Sequence, residues 1–294
     1  MKILISGSNG LLGQKLVKQL SERNIEFLAT SKGDNRNPDC PITCYQSIDI
    51  TDKNQVEYVI KSFMPDSIIH TAAITNVDYC EMNPELCHEV NVLGTQNRFE
   101  VAKNINAHFQ LLSTDFVFDG AKGNYKETDR PNPLSIYASS KFEGEKLLMN
   151  SDYKNWSIAR TIIVFGEGKN LSRSNIVLWA KDALMKGSPL NIIDDQFRAP
   201  TWADDLAWGC IEICKLNGKG IYHLSGPETM SIYDLVLRVA KFYKLGTEHI
   251  NRTDSKSLNQ PAKRPPKTGF DISKAKRELG YRPKSLEESL SLLS

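Results

Sequence analysis

An α/β fold built on a doubly wound parallel sheet, with a smaller C-terminal substrate-binding lobe, is the fold class this sequence predicts. Three observations carry it. Short β-type runs alternate with longer amphipathic segments through the first half. Three of those runs, KILIS, SIIH and FQLLS, are nearly all apolar, as strands covered on both faces must be. The first run also leads straight into Gly7-Ser8-Asn9-Gly10-Leu11-Leu12-Gly13 and then a helix.

In chain order, the expected strands are 2–6, 25–30, 43–48, 67–70, 109–113 and 157–161, and the helices between them are 11–21, 53–63, 84–103 and 137–149. Past about Phe165 the pattern changes. GEGKNLSRSN reads as a loop, 176–186 as a helix and DDQFRAP as another loop. A serine start and the apolar positions Leu235, Val236 and Val239 predict an amphipathic helix over 231–244. The proline-rich basic stretch NQPAKRPPKTGFD is a loop, and short helices near Ile272 and Leu286 close the chain. Residues 1–165 are thus expected to form a nucleotide-binding domain. Residues 166–294 form a mainly substrate-binding lobe, interleaved with the sheet.

Composition narrows the function. The 294 residues carry 37 Lys and Arg against 35 Asp and Glu, a net charge of +2 that argues against nucleic acid or an anionic membrane as main partner. No apolar run approaches a membrane span, and Ile3 to Ile5 is too short for the core of a signal peptide. A cytoplasmic protein is expected. Cys40, Cys44, Cys80, Cys87, Cys210 and Cys214 contain no C-x-x-C, and the five histidines lack metal-ligand spacing, so buried thiols and no metal are expected.

The glycine turn has a direct physical use. Glycines let the backbone bend sharply and approach a pyrophosphate, and the following helix offers free N–H groups to its charge. A Tyr-x-x-x-Lys pair, Tyr137 and Lys141, is weaker by itself, because ten tyrosines give about one such spacing by chance. Its context strengthens it. Ser113-Thr114-Asp115 ends the fifth strand, and the helical pair converges with it at the carboxyl edge of the sheet. Positions i and i+4 share a helix face, so the Lys141 ammonium can lower the Tyr137 phenol's pKa. A phenol so placed can supply a proton, and the Thr114 hydroxyl can hydrogen-bond the group that receives it.

The spacing G-x-x-G-x-x-G, Asp49-Ile50-Thr51-Asp52 after the third strand, His70-Thr71-Ala72-Ala73 after the fourth and Asn91-Val92-x-Gly94-Thr95 resemble the extended short-chain dehydrogenase/reductase family. The resemblance covers nearly the whole chain and implies a Rossmann-type NAD(P)-binding fold. It places Gly7, Asn9, Gly10, Leu11, Leu12, Gly13, Asp49, Ile50, Ala72, Ala73 and Ile74, with Tyr137 and Lys141, against the cofactor. At the end of the second strand, Ser31-Lys32 suits a 2′-phosphate and so NADPH; Asp34 leaves NADH open.

STDFVFDG, PNPLSIYASSK, DDQFRAPT, Arg264-Pro265 and Phe270-Asp271 are similar to one branch, the dTDP-4-dehydrorhamnose reductases. That resemblance implies a nucleotide-sugar substrate, a dimer, and substrate contacts from Thr75, Thr114, Asp115, Ile163, Gln196, Arg198 and Arg264. Two stretches depart from the branch: Arg160-Thr161-Ile162-Ile163 puts an aliphatic residue where a tryptophan wall is usual, and Lys267 replaces an asparagine. The sequence is also close to a regulatory subunit of methionine adenosyltransferase, which keeps the fold and binds nucleotide. Enzyme and binding partner therefore both stay open, as does a related sugar-nucleotide reductase or epimerase.

Overall fold

Along the first strand, Ile3 and Ile5 enter one apolar cluster and Leu4, between them, enters another. Such alternation inside a wholly apolar run requires helices on both faces. The structure, a computed structural model describing residues 1–293, has that arrangement. Its central sheet contains β1 (Lys2–Ser6), β2 (Glu26–Ser31), β3 (Tyr45–Ser47), β4 (Ser67–His70), β5 (His108–Thr114), β6 (Trp156–Thr161) and β7 (Gly220–His223). All seven are parallel, in the order β7-β6-β5-β4-β1-β2-β3. The chain reverses its direction of winding between β1 and β4, which opens a crevice at the carboxyl ends of those strands.

Helices α1 (Leu11–Glu22) and, far along the chain, α5 (Ala203–Lys215) cover one face through Leu16, Val17, Leu20, Leu206, Ala207 and Ile211. Helices α2 (Lys53–Phe63), α3 (Gly94–Asn104) and α4 (Ile136–Met149) cover the other through Val56, Ile60, Phe99, Ala102 and Leu148. Each fully buried aliphatic side chain contributes about 1.5–3 kcal/mol of transfer free energy. Five cysteines are buried among these elements and Cys44 is partly exposed; all six thiols are free.

Three features of the central sheet and its covering helices depart from expectation. The helix expected over 84–103 is split into Pro84–His88, a π-helical turn Glu89–Leu93, and α3. The wide turn redirects Asn91, whose side chain brackets the Ile74 backbone, accepting from its N–H at 2.8 Å and donating to its carbonyl at 3.0 Å. Helix α5 and strand β7 were not expected. Helix α5 is buried nearly all round, from Leu206 and Ala207 to Cys210 and Cys214, so it lacks a polar stripe to mark its period. Both elements lie past residue 165 and return the chain to the sheet.

The rest of the C-terminal half packs into two further apolar clusters around helices Ile176–Met185 and Ile232–Phe242. A three-stranded ribbon joins Met230–Ser231, Phe197–Arg198 and Lys267–Thr268. Among the described residues, no helix is long and apolar enough to cross a membrane.

Candidate active site

The glycine turn is built as tightly as its sequence implies. Gly7 has φ +81°, and a Cβ there would lie 2.8 Å from the Ala72 nitrogen. At Gly13 a Cβ would lie 2.3 Å from the Gly7 carbonyl oxygen, so only hydrogen fits. Gly10 caps α1 with no side-chain hydrogen bond, which leaves the helix N-terminus bare toward the crevice. This cradle fits a dinucleotide pyrophosphate. Leu12 is buried behind it and Leu11 half-buried at its edge. The Asn9 side chain takes a supporting role: it donates to the Asp34 carbonyl at 2.8 Å and accepts from the Arg36 N–H at 2.8 Å. Ser31 is also used internally, accepting from the Asn9 N–H at 3.1 Å.

At the far end of the crevice Lys32, on the surface, pairs with Asp49 at 2.5 Å. The hydrogen bond from Lys32 draws Asp49 down to about 2, and the same bond raises the lysine. The two residues expected at the adenosine end therefore hold each other. Ile50 is buried against Gly94, where a Cβ would come within 2.7 Å of its Cδ1. Ala72 and Ala73 form the half-buried floor, and Asn91 fixes Ile74 beside them.

The catalytic candidates converge where β5 ends. Ser135 caps α4 by accepting from the Ala138 N–H, and Glu81 accepts from the Ile136 N–H at 3.0 Å, so Tyr137 sits in a fixed first turn. A buried bidentate pair, Arg160 Nε and Nη2 on Glu145 at 2.9 and 2.6 Å, locks the middle of α4 to β6. The Tyr137 phenol lies within hydrogen-bonding reach of Thr114 and edge-on to Phe116. Burial dominates its chemistry and pushes the phenol above its ordinary value, with the Thr114 hydrogen bond opposing. Burial thus outweighs the lowering expected from Lys141, and the phenol lies above its ordinary value rather than below it. Lys141 is itself brought down to about 8 by burial, against the opposing charge of Glu145. The phenol therefore stays protonated at neutral pH, as a proton donor must be.

Asp115 is buried beside Thr114. It accepts from Thr114 at 3.1 Å and from Thr268, and lies 3.6 Å from Arg198 Nε. Burial raises its pKa and the Arg198 charge opposes that rise.

Gln196 and Arg198 do not face the crevice. Both are buried, and the guanidinium donates to the carbonyls of Phe197 and Pro265 at 2.7 and 2.6 Å and to Gln196 Oε1 at 3.2 Å. Gln196 in turn donates to Ser255 at 2.8 Å. Arg264 forms a fork on Asp78 at 2.7 and 3.1 Å, joining its loop to helix Val77–Met82. These side chains fasten the C-terminal loops to the reaction centre. Ile163 bounds the same region and holds φ +29°, which is strained for a β-branched residue. Thr75 is exposed at the crevice rim and accepts a hydrogen bond from Arg173.

Residues 1–293 match the family model described as the RmlD substrate binding domain. The chain belongs to that family. It is 33% identical to a dTDP-4-dehydrorhamnose reductase of Aggregatibacter actinomycetemcomitans, over 98% of this chain and 97% of that one. It is 30% identical to methionine adenosyltransferase 2 subunit beta of Bos taurus, over 93% of this chain and 81% of the relative. A dTDP-4-dehydrorhamnose reductase of Bacillus anthracis, solved in complex with NADP, superposes with a TM-score of 0.86 at 25% identity, over 99% of this chain and 98% of that one.

Three residues of this RmlD-family site escaped the sequence reading. Thr268, bonded to Asp115, lay in a stretch read only as loop. Cys87 abuts α4, its thiol 3.3 Å from Ser140 Oγ, and contact with Cys80 draws its pKa below the ordinary thiol value. Arg173 lay in GEGKNLSRSN, where one arginine in a polar loop carries no periodic or motif signal.

Proposed function

We propose that this chain is an NADPH-dependent reductase of a 4-keto-6-deoxy sugar nucleotide, dTDP-4-dehydrorhamnose, giving dTDP-L-rhamnose. The observation that carries the reading is the gathering of Thr114, Tyr137 and Lys141 at the end of β5, beside a crevice whose glycines leave room for a pyrophosphate. In this reading, a bound reduced nicotinamide supplies the hydride for the ketone carbon. Tyr137 gives its proton to the oxygen as negative charge develops there. In this structure the single Thr114 hydroxyl proton is directed at Asp115; on substrate binding it turns to the same oxygen and polarises the carbonyl. The Lys141 charge stabilises the phenolate left behind.

The NADP-bound relative supports the choice of coenzyme, and Lys32 at the end of β2 supplies a surface cation for a 2′-phosphate. Residues 1–165 then carry the cofactor and the later residues mainly the sugar nucleotide. We expect a cytoplasmic homodimer, with light scattering as the check on its size.

The test supplies dTDP-glucose, the preceding dehydratase and epimerase, and NADPH. Coenzyme oxidation with formation of dTDP-rhamnose is the expected result. A chain that binds nucleotide, oxidises no coenzyme and retains methionine adenosyltransferase in a pull-down would replace this reading with the regulatory one.

A further inference from the structure

Three arginines of the C-terminal half reach the region around the reaction centre. Arg198 is committed to Asp115 and backbone carbonyls, and Arg264 to Asp78. Arg173 differs. Its side chain is exposed, and its hydrogen bond goes to the neutral Thr75 hydroxyl.

The loop that carries Arg173 spans the crevice. Its near end is stapled to the cofactor side: Gln14 donates to the Lys169 carbonyl at 2.7 Å and accepts from the Lys169 N–H at 2.8 Å. Asn170 donates to the Arg36 carbonyl at 3.1 Å, and Lys169 pairs with Asp39 at 3.1 Å. At the far end Asn175 donates to the Gly166 carbonyl at 2.8 Å and caps helix Ile176–Met185. Between these anchors, Arg173 reaches Thr75 beyond the end of β4. Thr75 follows Ala72-Ala73-Ile74, so this contact puts Arg173 at the reacting end of the crevice, where its charge also opposes the rise of the Tyr137 phenol.

We propose that Arg173 clasps the diphosphate of the nucleotide-sugar substrate, exchanging its hydroxyl contact with Thr75 for the phosphate oxygens. The inference rests on the reductase reading. A guanidinium fork matches two phosphate oxygens and gains charge-assisted bonds that one neutral hydroxyl cannot supply. The glycine turn and the bare N-terminus of α1 already serve the cofactor's own pyrophosphate, on the β1 side. Arg173 stands beyond Ala72-Ala73, on the Tyr137 side, where a second diphosphate arrives with the sugar. Because the loop is pinned at both ends, the side chain can make the exchange without the loop being rebuilt.

The test compares native protein with Arg173→Gln and Arg173→Lys. Binding of dTDP to the NADPH-saturated protein is measured by calorimetry, and steady-state kinetics are measured with each substrate varied. Arg173→Gln is expected to weaken dTDP binding and raise the KM for the keto-sugar nucleotide by about tenfold or more. The KM for NADPH stays unchanged, kcat changes by less than about threefold, and Arg173→Lys recovers part of the loss. Unchanged dTDP affinity overturns the proposal. So does a loss confined to NADPH, which would give Arg173 to the cofactor's pyrophosphate. Binding of dTDP needs no turnover: Arg173-dependent affinity without reduction keeps the diphosphate site and removes the reductase reading, whereas reduction without Arg173 dependence does the reverse.

Discussion

On the β1–β4 side of the crevice, glycines and an uncapped helix N-terminus stand open to a ligand, whereas on the C-terminal side Gln196, Arg198 and Arg264 turn inward and bind the protein to itself. The first side recognises by leaving room. The second places its charges where they hold loops against Asp115 and Asp78, and leaves Arg173 facing the cleft. Residue type alone does not separate these uses. An arginine suits a carboxylate of its own chain as well as a ligand's phosphate, and only the partner decides.

Substitutions can break or sharpen this contrast. The largest effect belongs to the reaction centre. Tyr137→Phe is expected to lower kcat by about 10²–10⁴-fold with NADPH binding retained, as fluorescence titration would show. Near-native turnover would remove the phenol from proton transfer.

On the inward-facing side the loss falls on stability. Arg198→Ala leaves Asp115 buried beside an empty cationic site, at a cost of about 3–5 kcal/mol in denaturant unfolding. Arg264→Ala, which breaks a partly exposed pair, should cost about 1 kcal/mol or less. Equal losses would show that the two anchors do not differ as their burial implies.

On the open side, Gly13→Ala forces a methyl against the Gly7 carbonyl and should weaken NADPH binding by about a hundredfold, or about 2.8 kcal/mol. Binding within threefold of native would mean that the turn yields more readily than its contacts suggest.

Lys141 gives the subtlest reading. Held at about 8, it loses its charge as pH rises through that value while the Tyr137 phenol stays protonated, so kcat/KM should fall above about pH 8. Lys141→Arg, which keeps its charge, should move that limb upward; a limb that stays put belongs to another group. Stability runs the other way. Between about pH 8 and the ordinary lysine value the unfolded chain binds the proton and the native chain does not. The Lys141 contribution to stability therefore rises with pH across that window.

Legibility in the sequence follows the same divide. Strands β1 and β4 and helix α2 were read to the residue, because apolar runs and amphipathic periods are local signals. Gly13 was legible because a backbone contact demands glycine whatever surrounds it. The π-helical turn at Asn91 was not, since its cause is a distant peptide, Ile74. Helix α5 was missed for a related reason, because complete burial erases periodicity, and strand β7, Gly-Ile-Tyr-His, lacks the aliphatic run that marks β1. The destinations of Arg198 and Arg264 depend on Asp115 and Asp78, both far away in sequence.

The free thiols make the molecule its own reporter of opening. A small alkylating reagent meets Cys44 directly, but reaches Cys210 and Cys214 only when α5 lifts from the sheet and Cys87 only when α4 separates from its neighbours. Pulsed labelling followed by mass spectrometry would therefore time the loosening of the two faces separately, with no introduced probe. Protection of Cys87 on adding NADPH would measure how far an occupied crevice steadies the helix that carries Tyr137.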